Sequence, residues 1–112
     1  MHKTNHHRAT AFTLLLSLHK YDQWVSSLRS ARPGSASVAG KELQRMAALK
    51  SEIPGLSRKV NTVLDLHLEL IGQLGSAKQG PLHSAEFLAL ATRQGEAVAK
   101  LSASCEGMTA SA

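Results

Sequence analysis

Residues 56–74 place a continuous apolar stripe along a helix, and this stripe constrains the fold more than any other feature of the chain. At the helical step of about 100° per residue, its aliphatic side chains fall within an arc of roughly 120°. They are Leu56, Val60, Val63, Leu64, Leu70, Ile71 and Leu74, with Leu66 and Leu68 on the flanks. Polar side chains such as Asp65 and Glu69 lie on the opposite side. A helix this one-sided needs other segments to cover its stripe.

His67 lies in the middle of this apolar arc. We expect a buried, neutral imidazole that is hydrogen-bonded to a backbone carbonyl or a hydroxyl, because buried polar groups are normally paired. A pH-sensitive or ligand-contacting imidazole is the alternative. No second His, Cys or carboxylate stands three or four residues away on the same face, so the sequence predicts neither a metal site nor a cofactor.

Composition favours helices throughout the 112 residues. Hydrophobic residues make up 43% of the chain but aromatic residues only 4%. Leu and Ala dominate while β-branched residues are sparse, which is typical of all-α proteins. We predict an all-α, up-and-down bundle of four helices at about 11–31, 38–52, 56–74 and 84–104. Short loops containing Gly and Pro join them, and a homodimer is plausible because the second helix has a thin apolar side.

The segments on either side of the bundle are predicted to be flexible. Residues 1–10 are predicted to form a flexible basic arm containing His2, His6 and His7, with Thr10 as the N-cap of the first helix. The bundle domain spans 11–105, and the tail 106–112 is expected to fray. A secretory signal or a transit peptide at the N-terminus is an alternative interpretation of the first residues.

The single cysteine, Cys105, excludes an internal disulfide framework and fits a reducing compartment, so we expect a cytoplasmic protein. Its position on the apolar stripe of the last helix predicts a small buried thiol. No apolar run approaches the ~18 residues of a membrane span.

The first helix carries the largest apolar side chains on one face. This face contains Leu14, Leu18, Tyr21, Trp24, Val25 and Leu28. Tyr21 and Trp24 either anchor the bundle or contact a partner, since aromatic residues are enriched in binding hot spots.

The leading hypothesis is a small, non-enzymatic interaction protein from a bacterium: an adaptor, an accessory subunit or a chaperone-like factor. It would bind a partner helix, or a second copy of itself, through an apolar groove beside the first helix. The residues predicted to bind the partner are Tyr21, Trp24, Leu28, Arg29 and Arg32.

Uneven charge supports a second hypothesis. Residues 1–59 contain ten basic and three acidic residues, a net charge of +7, whereas residues 60–112 have a net charge of −2. The second and third predicted helices could form a helix-turn-helix-like DNA-binding unit. Its contact residues would be Lys41, Arg45, Arg58, Lys59, Asn61 and Thr62. Against this hypothesis, the connection between the two helices is longer than the usual 3–4-residue turn of a helix-turn-helix unit, and Asp65 and Glu69 would repel phosphate. Nucleic acid is therefore not the favoured partner.

A third hypothesis is a ligand-binding or enzymatic bundle centred on His67, with Gln94 as a second buried polar residue and Cys105 nearby on the same helix. The sequence contains no Gly-rich phosphate loop, CxxC, HExxH or GxSxG motif. We therefore expect no catalytic residues and no enzymatic activity.

Overall fold

The structure, a computed structural model, describes residues 2–28, 36–76 and 85–110, with side chains for 7–28, 38–73 and 85–109. Within these ranges the chain forms four α-helices: α1 His2–Ser27, α2 Ala36–Leu49, α3 Ser57–Ser76 and α4 Ala85–Ala110. Two 3₁₀ turns, Lys50–Glu52 and Pro54–Leu56, connect α2 to α3. No strand occurs in the described residues. The predicted all-α bundle of four helices is confirmed.

The predicted apolar stripes meet in one core. Leu56 at the end of the second 3₁₀ turn is buried, as are Val60, Val63 and Leu70 of α3. Leu64 and Ile71 of α3 are half-buried. Leu74 lies outside the described side chains. The other helices contribute the side chains that cover this stripe, which include Leu14, Leu18, Val25, Met46, Phe87, Leu90, Val98 and Leu101. Because each helix has one apolar side, the bundle is the arrangement that removes all four sides from water.

Helices α1 and α4 run antiparallel over most of their length. Arg8 near the start of α1 and Thr109 near the end of α4 line the same cavity, while Tyr21 bonds to Gln94 further along. Helix α4 also packs against α3, and α2 lies beside α1, with which it makes closer contact than with α3.

The start of the first helix was predicted incorrectly. Helix α1 begins at His2, not at Ala11, so Thr10 is a buried residue within the helix and not its N-cap. Helix α4 continues to Ala110, and Thr109 near its end lines the same cavity as Arg8 and Ala9 of α1. The first and last residues expected to be flexible, 2–10 and 106–110, are therefore helical. The predicted end of α1, residues 29–31, lies outside the described residues.

The remaining helix boundaries differ by smaller amounts. Helix α2 begins at Ala36 and ends at Leu49, three residues before the predicted end, because the chain tightens into the 3₁₀ turn Lys50–Glu52. Pro54 then starts the second turn, and the Ser57 hydroxyl donates to the Pro54 carbonyl at 2.9 Å where α3 begins. This double turn fixes the entry of α3, the helix that carries His67.

Candidate functional site

The centre of the bundle contains a chain of polar side chains from three helices. Tyr21 from α1, His67 from α3 and Gln94 from α4 are all buried. The Gln94 Nε2 group donates both to the Tyr21 hydroxyl oxygen and to the Val63 carbonyl, each at 2.8 Å. The Tyr21 oxygen lies 2.8 Å from His67 Nδ1. The three helices are therefore joined by directional bonds as well as by apolar packing.

The donor order in this network fixes the protonation of His67. Gln94 supplies a hydrogen to the Tyr21 oxygen, so the Tyr21 hydroxyl directs its own hydrogen to His67 Nδ1. His67 Nδ1 then accepts, and the proton of the neutral ring resides on Nε2. Burial lowers the pKa of His67 from its ordinary value, which also favours the neutral ring. The prediction of a buried histidine bonded to a hydroxyl agrees with this geometry.

The same network keeps the Tyr21 hydroxyl protonated. Burial raises the pKa of the Tyr21 hydroxyl far above its ordinary value, and the bond from Gln94 offsets only part of that effect. The rings of Tyr21 and Trp24 pack around His67, with centroids 5.5 and 5.4 Å from the imidazole. Neither the hydroxyl nor Nδ1 of His67 is free to bind a substrate, so these groups orient the core.

The side chains predicted to bind a partner are part of this core. Tyr21, Trp24 and Leu28 are exposed by only 0, 5 and 1%. Their predicted role as a docking surface therefore needs correction, because the packing of Tyr21 and Trp24 against α3 and α4 leaves no face for a partner helix. The predicted charged rim, Arg29 and Arg32, lies outside the described residues.

The DNA-contact residues of the second hypothesis do not form one free basic face. Arg45 lies 3.4 Å from the carboxylate of Glu42, and Lys50 donates to Asn61 Oδ1 at 2.8 Å. Lys41, Arg58, Lys59 and Thr62 are exposed, but the Thr62 hydroxyl donates to the Arg58 carbonyl at 3.1 Å. Asp65 and Glu69 are exposed along the same side of α3.

Cys105 does not join His67 in a dyad. The thiol is buried, and burial together with the charge of Glu106 raises its pKa to about 11. It follows Gln94 by eleven residues on α4, a distance of about 16 Å along the helix axis. Gln94, in contrast, reaches His67 through Tyr21. In the described part of the chain, no group of three or more His, Cys, Asp or Glu side chains could hold a metal ion.

An apolar groove between α2 and α3 lies on the surface near this network. It has a volume of about 230 Å³ and is lined by Leu43, Gln44, Ala47, Leu64, His67 and Leu68. Leu68 is exposed by 69%, more than the other exposed large hydrophobic side chains of the described residues, Phe12, Leu16 and Val38. In the sequence, Leu68 lies at the edge of the apolar arc, as Leu66 does, and nothing there predicts its exposure.

A second groove lies between α3 and α4 and has a volume of about 310 Å³. Leu66 and Ala97 provide its apolar floor, and Thr62 and four charged residues complete the lining. The charged residues are Lys59, Arg93, Glu96 and Lys100. On each helix the lining residues are separated by three, four or seven positions, which places them on one face of that helix. This spacing is the signal in the sequence from which the groove could have been predicted.

No protein family, curated protein or solved structure matches this chain. No helix within the described residues has the length and apolar character needed to cross a membrane.

Proposed function

We propose that this chain is a small, non-enzymatic helical interaction protein that receives a helix from a protein partner in the apolar groove between α2 and α3. The observation that carries this proposal is Leu68, a leucine exposed by 69% at the edge of an apolar groove. Burying a leucine side chain is worth about 1.5–3 kcal/mol, so an occupant of the groove gains substantial free energy at this position.

The partner is best described by the shape of the groove. Its walls are two helices, and a third helix packs in such a groove through side chains spaced three or four residues apart. Leu43 and Leu64 supply the apolar floor, while Ala47 is small enough to let the backbone of the partner approach closely. A second copy of the chain is the other occupant with this chemistry, and the homodimer belongs to the same proposal.

The buried polar network supports a non-enzymatic role. His67 contributes to the wall of the groove but uses Nδ1 for Tyr21, and the pKa of Cys105 is raised to about 11. A nucleophilic cysteine needs a lowered pKa or an activating base beside it, whereas burial raises the pKa of the Cys105 thiol. The free thiol is compatible with a reducing, cytoplasmic compartment.

Site-specific photo-crosslinking in the native source tests the proposal. A photoreactive phenylalanine derivative at position 68 should capture one discrete protein, or a second copy of the chain. The same group at position 69 should not, because Glu69 points about 100° away around α3. Equal capture at both positions, or none at either in a folded protein, contradicts the proposal.

A matched pair of substitutions on α2 provides the second control. Ala47 and Ala48 are both exposed, but only Ala47 lines the groove. Ala47→Glu should abolish capture at position 68 because it places a charge in an apolar site, whereas Ala48→Glu should leave capture unchanged. Loss of capture in both variants would show that the groove does not determine binding.

A further inference from the structure

The α3–α4 groove presents basic side chains that have no acidic partner among the residues that the structure describes. Lys59 on α3 and Arg93 and Lys100 on α4 form no ion pair with any residue in the described part of the protein. Glu96 supplies the only carboxylate among the residues that line the groove. The lining therefore has a formal charge of +2 beside the apolar floor of Leu66 and Ala97.

The positions of these charges select an extended occupant. Arg93 and Lys100 are seven residues apart on α4, which separates them by about 10.5 Å along the helix axis. A small anion binds most tightly where several donors converge on one point, and these cations are instead distributed along the groove. The apolar floor between them requires an apolar group at the centre of the occupant. Acidic residues seven positions apart on a helix have the same separation as the two cations.

We infer that the α3–α4 groove binds an acidic amphipathic helix of a protein partner. Two carboxylates one heptad apart contact Arg93 and Lys100, with Lys59 adding charge from α3. A Leu-sized side chain between the two carboxylates covers Leu66 and Ala97. This groove lies on the side of α3 opposite Leu68, so it is a second binding surface that does not depend on the proposed function.

The test uses a defined probe and the full chain. The probe is a fluorescein-labelled helical peptide of about 20 residues, with Glu at two positions seven apart and Leu between them. Its control peptide has Gln in place of both Glu residues. Fluorescence anisotropy should show that the acidic peptide binds about tenfold more tightly, and that the difference shrinks as salt screens the charges.

Charge-reversal variants locate the site. Lys59→Glu combined with Lys100→Glu should raise the Kd for the acidic peptide about tenfold. Lys41→Glu combined with Arg58→Glu makes the same change in net charge outside the groove and should change the Kd less than about twofold. Far-UV circular dichroism checks that both variants stay helical. An equal loss in both variants means that net charge alone attracts the peptide, and it overturns the inference.

Two further outcomes also overturn the inference. The first is equal binding of the Gln peptide. The second is tighter binding of a short DNA duplex that is lost in the same groove variant, since this assigns the groove to nucleic acid. Ala47→Glu should leave binding of the acidic peptide unchanged. If it abolishes binding, the peptide occupies the α2–α3 groove and the inference for α3–α4 fails, while the proposed function stands.

Discussion

Replacing Tyr21 with phenylalanine removes one oxygen atom from the core and breaks two hydrogen bonds. The hydroxyl lies 2.8 Å from both His67 Nδ1 and Gln94 Nε2. Gln94 keeps its bond to the Val63 carbonyl through its second hydrogen, but His67 Nδ1 is left without its donor. The ring itself stays in place because phenylalanine has the same apolar shape.

The expected magnitude follows from these losses. A typical buried hydrogen bond contributes about 1 kcal/mol, and a buried polar atom left unpaired costs about 1–3 kcal/mol. Tyr21→Phe should therefore lower the free energy of unfolding by about 2–4 kcal/mol, a large part of the 5–15 kcal/mol typical of a domain. The melting temperature should fall by roughly 10 °C or more.

Urea denaturation followed by circular dichroism measures this change, and a double-mutant cycle assigns it to the network. His67→Leu removes the acceptor of the Tyr21 hydroxyl, so the double variant should lose about 1–2 kcal/mol less than the sum of the two single variants. Ser26→Ala is a matched control, because it also removes a hydroxyl from α1 but at an exposed position. It should change stability by less than about 0.5 kcal/mol.

Two results would refute the reasoning about the network. A Tyr21→Phe variant within about 0.5 kcal/mol of the parent chain would show that the hydroxyl is not engaged in the folded state. Strict additivity with His67→Leu would show that Tyr21 and His67 do not interact. In either case the neutral, Nε2-protonated form assigned to His67 would lose its structural basis.

Three further predictions concern His67, Cys105 and Gly72. The pKa of His67 is lowered in the folded chain, so the unfolded chain binds the proton first as pH falls below about 6.5. Stability should therefore decrease on acidification through this range. The urea midpoint should depend less on pH in His67→Leu than in the parent chain. The same pH dependence in both proteins would exclude His67 as the cause. The Cys105 thiol is buried and its pKa is raised to about 11. A chromogenic disulfide reagent should therefore modify it slowly in the native chain and rapidly in urea. Rapid labelling of the native chain would contradict its burial. A Cβ added at Gly72 in α3 would meet nothing within 4 Å beyond its own helix backbone and chain neighbours. Gly72→Ala should therefore raise stability by up to about 1 kcal/mol in thermal melts, and a loss would show that the position needs glycine.

The period of the apolar residues was enough to predict the helices and their buried sides. Leu14, Leu18 and Val25 on α1, and Val60, Val63 and Leu70 on α3, are buried as the spacing indicates. This information is local, because a helix places residues three and four apart on the same side whatever surrounds it. Residues 2–10 have no such pattern, and their helical structure is visible only in the folded chain, where Arg8 and Ala9 line a cavity with Thr109 of α4.

The partners of the buried polar residues could not be read from the chain. Tyr21 and His67 are separated by 46 positions, and Tyr21 and Gln94 by 73. Each was recognisable as an unusual residue on an apolar side, but no local rule states which helices bring them together. Tyr21 and Trp24 satisfied the sequence criteria for a core residue and for a binding residue equally well. Their burial and their ring contacts with His67 decided between the two roles.

The burial of Leu66 and Leu68 was decided by the tertiary structure and not by the sequence pattern. Both leucines flank the same apolar arc on α3, so the sequence determined that α3 is a helix with one buried side but did not rank its two edges. Leu66 is exposed by 7% and Leu68 by 69%. Leu66 is covered at the edge beside α4, whereas Leu68 stands where α2 makes the looser contact with α3. Burial depends on which neighbour covers an edge, and that is a property of the assembled bundle.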